Sequence, residues 1–256
     1  MATTWDPQQY LSFADHRLRP ALELLARIPL DAPARVVDLG CGAGNVTQHL
    51  RLRWPRAELM GIDSSEDMLA KARATDRSIR WELGDLGHWQ PAEPPDVLYA
   101  NASLHWLPDH DALFPRLLGQ VAPGGALAVQ MPRNFDAPSH TSMAEAARQG
   151  PWAERLRGLL RESPVGEPER YYDLLAPLAS RVDVWETRYL QVLSGENPVA
   201  EFTKGTWLRP LLEALNEPQR SAFEAAYRAL VARAYPCRPD GHTLFPFKRM
   251  FIVAVR

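Results

Sequence analysis

The sequence is poor in cysteine and has no long apolar run. Its two cysteines, Cys41 and Cys237, are too few for a disulfide scaffold or a four-ligand zinc site. No run of about 18 apolar residues is present, so we expect no membrane-spanning helix. Residues 1–7 have neither a cationic start nor an apolar core, so we expect no signal peptide. Together these absences predict a reduced, cytoplasmic protein.

An excess of charge is also missing. Lysine and arginine number 29 against 31 aspartate and glutamate residues, a formal net charge of −2. The whole molecule therefore has no field that favours nucleic acid or an anionic membrane, and we expect neither as a partner. Any anionic ligand must instead meet a local cluster of cations. The seven histidines show no metal-ligand spacing, so no metal is predicted.

The sequence is ordinary in the features that indicate a folded core. Hydrophobic residues make up 46% of the 256 positions and charged residues 23%, as in soluble globular proteins. Short apolar runs alternate with helical patterns over the first half of the chain. The predicted strands of this region are Arg35–Leu39, Glu58–Asp63, Ile79–Gly84, Pro95–Asn101 and Ala126–Met131. Such alternation predicts an α/β fold with a doubly wound, mostly parallel sheet.

The rest of the chain predicts helical insertions and two closing strands. We interpret residues 1–256 as one domain with a seven-stranded sheet, in which the helical insertions cap the active site. Its expected segments are an N-terminal helical lid (1–30), a cofactor-binding core (31–134), two helical cap insertions (135–180 and 191–245) and the last strands (181–190 and 246–256). Within the insertions, 139–161 and 196–234 have helical patterns.

Ligands of such sheets bind beyond the carboxyl ends of the strands. A loop containing Gly40, Gly42 and Gly44 lies there, between the first strand and the first helix of the core. Glycines allow a sharp turn and a close approach of the backbone to a ligand, and the helix start offers unpaired N–H groups. Asp63, at the end of the next strand, can accept hydrogen bonds from both hydroxyls of a ribose.

The spacing of the loop distinguishes between cofactors. It is G-x-G-x-G with Asp38 two residues before it, whereas the dinucleotide fingerprint is G-x-G-x-x-G. An acid beside the loop would repel a pyrophosphate but suits a cationic ammonium or sulfonium ligand. Asp85, after the third strand, either accepts a hydrogen bond from an adenine amino group or caps a helix, and both roles stay open here.

These residues resemble the class I S-adenosylmethionine-dependent methyltransferases. The segments that carry the resemblance are Val37–Asn45, Gly61–Ser64 and Pro123–Gly125. The resemblance implies S-adenosyl-L-methionine as cofactor and S-adenosylhomocysteine as product. It places Asp38 and Gly40 near the amino-acid end of the cofactor, and Asp63 on the ribose. The cofactor-binding residues expected in full are Asp38, Gly40, Gly42, Gly44, Asp63, Ser64, Met68, Asp85, Leu86 and Asn101.

Segments outside the common motifs are similar to the branch of this family that methylates trans-aconitate. They include Trp5–Phe13, Asn101–Ser103, Leu127–Pro132, Leu208–Pro210 and Phe251–Ala254, and the likeness covers essentially the whole chain. It implies an O-methyltransferase that esterifies a carboxylate of trans-aconitate. We also expect the protein to be a monomer. Departures from the pattern of that branch stand at His105, Arg133, Trp207 and Lys248.

The departures leave the exact acid open, and three alternative functions stand beside the main expectation. One alternative is a methyltransferase for another small carboxylic acid or for a malonyl acyl-carrier thioester, which would need an exposed cationic patch. A nicotinamide-dependent oxidoreductase would use the same kind of sheet, although the glycine spacing and Asp38 argue against it. A third alternative is a protein that binds the cofactor without turnover.

Cations and aromatic side chains are the candidate substrate-binding residues. A carboxylate is ionised at pH 7, so the reaction needs no general base. A tricarboxylate needs cations, and the planar fork of arginine matches a carboxylate. The predicted substrate-binding residues are Tyr10, Phe13, Arg17, His105, Arg133, Tyr172, Trp207, Arg209 and Arg249. We expect His105 to position the substrate, with no acid–base role, whereas Arg209 and Arg249 are either anion sites or members of structural ion pairs.

Overall fold

The computed structural model of the chain describes residues 14–160 and 163–256, and the side chains of residues 14–17 lie outside that description. The described residues form one seven-stranded sheet. Its strands are β1 (Arg35–Leu39), β2 (Glu58–Asp63), β3 (Arg80–Leu83), β4 (Val97–Asn101), β5 (Ala126–Pro132), β6 (Arg181–Ser194) and β7 (His242–Val255). The spatial order is β3-β2-β1-β4-β5-β7-β6. Strands β1 to β5 pair in parallel, and β7 is antiparallel to β5. The predicted doubly wound, mostly parallel sheet is confirmed.

Helices connect the strands and, together with β6 and β7, make up the second half of the chain. The described helices are α1 (Ala14–Ala26), α2 (Asn45–Arg53), α3 (Glu66–Thr75), α4 (His110–Gln120), α5 (Pro138–Gln149), α6 (Ala153–Leu156), α7 (Pro168–Leu175), α8 (Pro198–Lys204), α9 (Arg209–Glu213) and α10 (Gln219–Ala234). Short 3-10 turns are Leu104–Trp106 and Arg157–Leu159.

Burial explains the central strands, and capping explains the start of α3. Almost every residue of β1 and β5 is buried, which is typical of parallel strands that are covered on both faces. Helix α3 begins after Ser65, whose side chain accepts a hydrogen bond from the Met68 N–H at 3.4 Å. Glu66 and Asp67 follow in its first turn, where acids favour the positive end of the helix dipole.

The second half differs in detail from the sequence patterns. The predicted helix 139–161 is interrupted at Gly150, whose backbone is extended (φ −107°, ψ 177°), because the following residue, Pro151, disfavours helical geometry in the residue before it. The predicted helix 196–234 is three helices, of which two have a proline in their first turn and the third begins directly after Pro218. Strands β6 and β7 are longer than predicted, because the alternation of buried and exposed residues continues to Ser194 in β6.

The chain forms two compact units. Residues 17–132, 164–187 and 249–256 form the sheet unit, and residues 133–163 and 188–248 form the helical unit. The helical unit has its own core, which includes Met143, Trp152, Phe202, Phe223 and Phe245. The division of the chain into lid, core and cap segments stays a prediction. Among the described helices none is long and apolar enough to cross a membrane.

Candidate active site

The glycine loop joins the buried end of β1 to the start of α2. Gly40, Gly42 and Gly44 have φ angles of 76°, 56° and 80°, a region that side-chain-bearing residues avoid. The loop is tied to the neighbouring strand, because the Gly42 N–H donates to Asp63 Oδ2 at 2.8 Å. The backbone of the loop therefore favours glycine at all three positions, whatever it binds.

The three glycines differ in what surrounds them. A Cβ on Gly40 would lie 2.2 Å from the Cβ of Ser103, and one on Gly44 would lie 2.7 Å from Trp81 Cη2. A Cβ on Gly42 would meet nothing within 4 Å. Two of the glycines thus make room for neighbouring side chains, and Gly42 faces the open space that a ligand can enter.

Alanine substitutions should separate these roles. We expect Gly40→Ala to lower the free energy of unfolding by about 3 kcal/mol, since the strain of a positive φ adds to the displacement of Ser103. Gly42→Ala should cost only about 1–2 kcal/mol but should weaken S-adenosylmethionine binding more strongly. Thermal unfolding and calorimetric titration measure the two quantities. We expect Gly40→Ala to be the less stable variant and Gly42→Ala to be the weaker binder. The assignment is wrong if one of the two variants is worse in both measurements.

Asp63 braces the loop from the end of β2. Its Oδ2 accepts the Gly42 N–H, and its Oδ1 accepts the Ser65 N–H at 2.9 Å. Each carboxylate oxygen has a second lone pair, so Asp63 can still accept hydrogen bonds from ligand hydroxyls. The predicted ribose contact is compatible with this arrangement and stays a prediction.

Asp38 is a buried acid next to the loop. Its residue is 2% exposed, and Thr47 Oγ1 donates to its Oδ2 at 2.7 Å. Burial raises the pKa of Asp38 to about 7, because the anion loses its hydration; the Thr47 hydrogen bond partly opposes this and the nearby Asp63 carboxylate adds to it. A cationic ligand would supply the counter-charge that this carboxyl lacks.

The raised pKa of Asp38 predicts a pH dependence of cofactor binding. A cation favours the ionised carboxyl, so S-adenosylmethionine should bind more tightly as the pH rises toward 7, by about tenfold per unit, and level off above it. For folding the sign is opposite, since the folded state holds the proton more tightly and this group destabilises it as the pH rises from about 4 to 7. Calorimetric titrations between pH 5.5 and 8.5 would show the slope, and Asp38→Asn should flatten it. An unchanged slope in that variant would contradict the assignment.

Asp85 caps the turn that follows β3. Its side chain is 65% exposed, its Oδ1 accepts the Gly87 N–H at 2.9 Å, and its Oδ2 lies 2.8 Å from His88 Nδ1. In the described segment between β3 and β4, a turn and no helix follows Asp85, so Asp85 does not cap a helix, and the adenine contact stays a prediction. Leu86 is buried, whereas Ser64 is exposed. All ten predicted cofactor residues lie in the sheet unit.

A buried polar cluster lies where β4, β5 and β7 meet at the same edge. Asn101 on β4 pairs in register with Gln130 on β5. The Asn101 Oδ1 and Gln130 Nε2 atoms are buried and have no hydrogen-bond partner among the described residues. Gln130 Oε1 accepts a hydrogen bond from Arg249 Nη1 at 3.3 Å, and Arg249 is only 4% exposed. Sequence reasoning missed Gln130, although it stands one residue before the end of the predicted strand Ala126–Met131.

Two other predicted residues of the sheet unit differ in exposure. His105 is buried, and its ring centre lies 4.6 Å from that of Trp106. Tyr172 is 53% exposed on α7. Its neighbour Tyr171 is fully buried, with its hydroxyl 2.6 Å from His110 Nδ1.

The helical unit contains three of the predicted substrate residues. Arg209 forms the structural ion pair considered above, with its Nε 2.7 Å from Glu213 Oε1, while its buried Nη1 has no hydrogen-bond partner among the described residues. The Trp207 ring packs against that of Phe135 at 4.9 Å between centres. Arg133 donates its backbone N–H to the carbonyl of Lys248.

The remaining predictions have no structural counterpart here. Tyr10 and Phe13 lie outside the described residues, as does the side chain of Arg17. Within the described ranges, no group of three or more histidine, cysteine and acidic side chains could hold a metal ion.

Three features of the site fit a cationic, hydroxyl-bearing cofactor such as S-adenosylmethionine. They are the open space at Gly42, the buried acid Asp38 and the Asn101 oxygen, which has no hydrogen-bond partner among the described residues.

Comparisons with known proteins identify the family of the chain. A family model described as a methyltransferase domain matches residues 10–165. A trans-aconitate 2-methyltransferase of Azoarcus sp. (strain BH72) is 53% identical over 99% of both chains. One of Rhodopseudomonas palustris (strain BisB18) is 47% identical over 98% of this chain and 99% of its own. A phosphoethanolamine N-methyltransferase 2 of Haemonchus contortus, solved with S-adenosylhomocysteine, has a TM-score of 0.54 at 16% identity, covering 93% of this chain and 52% of that one.

Proposed function

This chain belongs to the trans-aconitate 2-methyltransferase family, and we propose that it esterifies one carboxylate of trans-aconitate, giving the monomethyl ester and S-adenosylhomocysteine. The chain is an S-adenosylmethionine-dependent methyltransferase. The observation that carries the substrate is the identity of about half of all residues with relatives of that name over nearly the full length. The buried arginine Arg249 at the carboxyl edge of the sheet fits an anionic acceptor.

In this reaction the protein has to orient the two reactants and does not have to transfer a proton. S-adenosylmethionine supplies the methyl group, whose bond to the sulfonium sulfur breaks as a carboxylate oxygen bonds to the methyl carbon. The electron pair of the broken bond stays on sulfur, so no proton moves and no general base is needed. Orientation of the two reactants can supply several kcal/mol, roughly 7–11 at best. His105 accordingly has a positioning role in this proposal.

The acids and the loop hold the methyl donor, and the cations hold the acceptor. On the donor side, Asp63, which accepts the Gly42 N–H, would also accept from the ribose, Asp38 would offset positive charge and Gly42 would leave room for the ligand. On the acceptor side, Arg249 is a fork-shaped donor beside the strand end. The other acceptor residues proposed are Tyr10, Phe13, Arg17, Arg133, Tyr172, Trp207 and Arg209.

We propose further that the protein acts as a monomer in the cytoplasm, without nucleic acid or membrane as a partner. The near-zero net charge of −2 supports the absence of nucleic acid and of anionic membrane. Two cysteines, neither paired with the other, agree with a reducing compartment. Light scattering of the purified protein would measure its mass against the 28.8 kDa of one chain.

Methyl transfer from a radiolabelled donor tests the substrate. The purified protein is offered trans-aconitate, cis-aconitate, citrate, isocitrate and a malonyl carrier protein at equal concentration. We expect a base-labile methyl ester that forms fastest with trans-aconitate. Faster transfer to a different acid would leave the assignment as a methyltransferase intact but would show that trans-aconitate is not the preferred substrate. No transfer to any acid, together with tight donor binding, would contradict the proposed reaction.

A further inference from the structure

The polar groups at the carboxyl edge of the sheet change from hydrogen-bond acceptors on one side to hydrogen-bond donors on the other. Asp63 on β2 and Asp38 on β1 are acids, and Asn101 on β4 offers the unpartnered acceptor Oδ1. The next two strands offer donors instead, the unpartnered Nε2 of Gln130 on β5 and the guanidinium of Arg249 on β7. The order β2-β1-β4-β5-β7 therefore runs from acceptors to donors, with the change between β4 and β5.

Such a gradient matches the two reactants of a methyl transfer from a cation to an anion. Acceptors and acids stabilise the positive methyl donor, and hydrogen-bond donors and cations stabilise the negative methyl acceptor. The transferred methyl group must lie where the two meet. Asn101 and Gln130, which face each other in register, mark this point on the sheet.

The amide of Gln130 is held so that its nitrogen is the free end. Gln130 is fully buried, and its Oε1 accepts the hydrogen bond from Arg249 Nη1 at 3.3 Å. Its Nε2 is buried without a partner among the described residues. Buried donors are nearly always paired in native proteins, because a buried donor without a partner loses the hydrogen bonds that it makes to water in the unfolded chain. A ligand oxygen at this position would satisfy the Gln130 nitrogen.

We propose that Gln130 binds the carboxylate that receives the methyl group, donating from Nε2 to one of its oxygens and leaving the other oxygen to attack the methyl carbon. Through Oε1 the same amide orients Arg249, so that two donors from neighbouring strands converge on one anion. This role deepens the proposed function and rests on it, since it requires an anionic acceptor.

Gln130→Glu separates this role from a structural one. The substitution keeps the size of the side chain, replaces the donor by a carboxylate and gives Arg249 a charged partner. A merely structural residue would tolerate it, since the bond to Arg249 would be preserved as a salt bridge. We expect a thermal midpoint at or above that of the wild type and a Kd for S-adenosylhomocysteine within about twofold. The KM for trans-aconitate should rise about 100-fold, because the carboxylate repels the substrate and neutralises Arg249.

Controls keep the result interpretable. Gln149→Glu, on an exposed position of α5, makes the same chemical change away from the cluster and should leave KM and kcat unchanged. Gln130→Met removes both hydrogen bonds without adding charge and should raise the KM about tenfold, which decides the matter if the glutamate variant does not fold.

Three outcomes overturn the assignment. Normal KM and kcat in a folded Gln130→Glu protein would show that Nε2 does not serve the acceptor. A changed Kd for S-adenosylhomocysteine with an unchanged KM would place Gln130 on the cofactor side with Asn101. Normal kinetics in Gln130→Met would also reject it. If the wild type esterifies another acid in the panel, the proposed substrate fails, and the same variants measured with that acid still test Gln130.

Discussion

Replacing Arg249 with methionine should raise the KM for trans-aconitate about 100-fold or more, with the Kd of S-adenosylhomocysteine unchanged within about twofold. Arg249 is 4% exposed and hydrogen-bonded to Gln130, so its guanidinium is held in place before a substrate arrives. Removal of a preoriented, desolvated cation costs 2–5 kcal/mol or more of binding to its anion, about 30-fold to several thousand-fold. Steady-state kinetics at fixed cofactor, together with calorimetry, separate the two constants.

Two further variants define the origin of the effect. Arg249→Lys keeps the charge but loses the planar fork, so we expect an intermediate KM, about tenfold above that of the wild type. Arg181→Met removes an exposed arginine at the start of β6 and should change nothing. A normal KM in a folded Arg249→Met protein would show that this arginine is structural only.

Replacing Asp63 with asparagine should weaken S-adenosylmethionine binding about 100-fold. The carboxylate accepts the N–H groups of Gly42 and Ser65, and an amide offers only one acceptor oxygen for them and for the ribose. Charge-assisted hydrogen bonds contribute about 1.5–3 kcal/mol each, and the variant also loosens the glycine loop that faces the ligand. Isothermal titration with the methyl donor and with S-adenosylhomocysteine measures the loss.

The control for Asp63 is close in the chain. Asp67→Asn changes an exposed acid in the first turn of α3 by the same atoms and should leave the cofactor affinity within about twofold. Saturating donor should restore much of the kcat of Asp63→Asn, because the substitution affects binding and leaves the acceptor residues in place. Unchanged donor affinity in Asp63→Asn would remove the ribose assignment.

Features that depend on neighbouring residues in the chain were accessible from the sequence. The glycines of the loop follow a buried strand, and Ser65 precedes a helical pattern, so both features carry local chemical signals. The strand ends of β1, β2 and β4 were predicted closely for the same reason. The breaks at Gly150 and before Pro218 were missed, because a local proline, Pro151 or Pro218, overrides the average helical pattern.

The sequence by itself determined the strands of the sheet, the glycine loop and the acids beside it, because periodicity and spacing encode them within short stretches of chain. Only the tertiary structure decided which glycine faces open space and which glycines make room for Ser103 and Trp81. It also decided that Gln130 and Arg249, 119 positions apart, share a hydrogen bond. Strand order and register set such contacts, and they depend on how the whole core packs rather than on the residues adjacent in the chain.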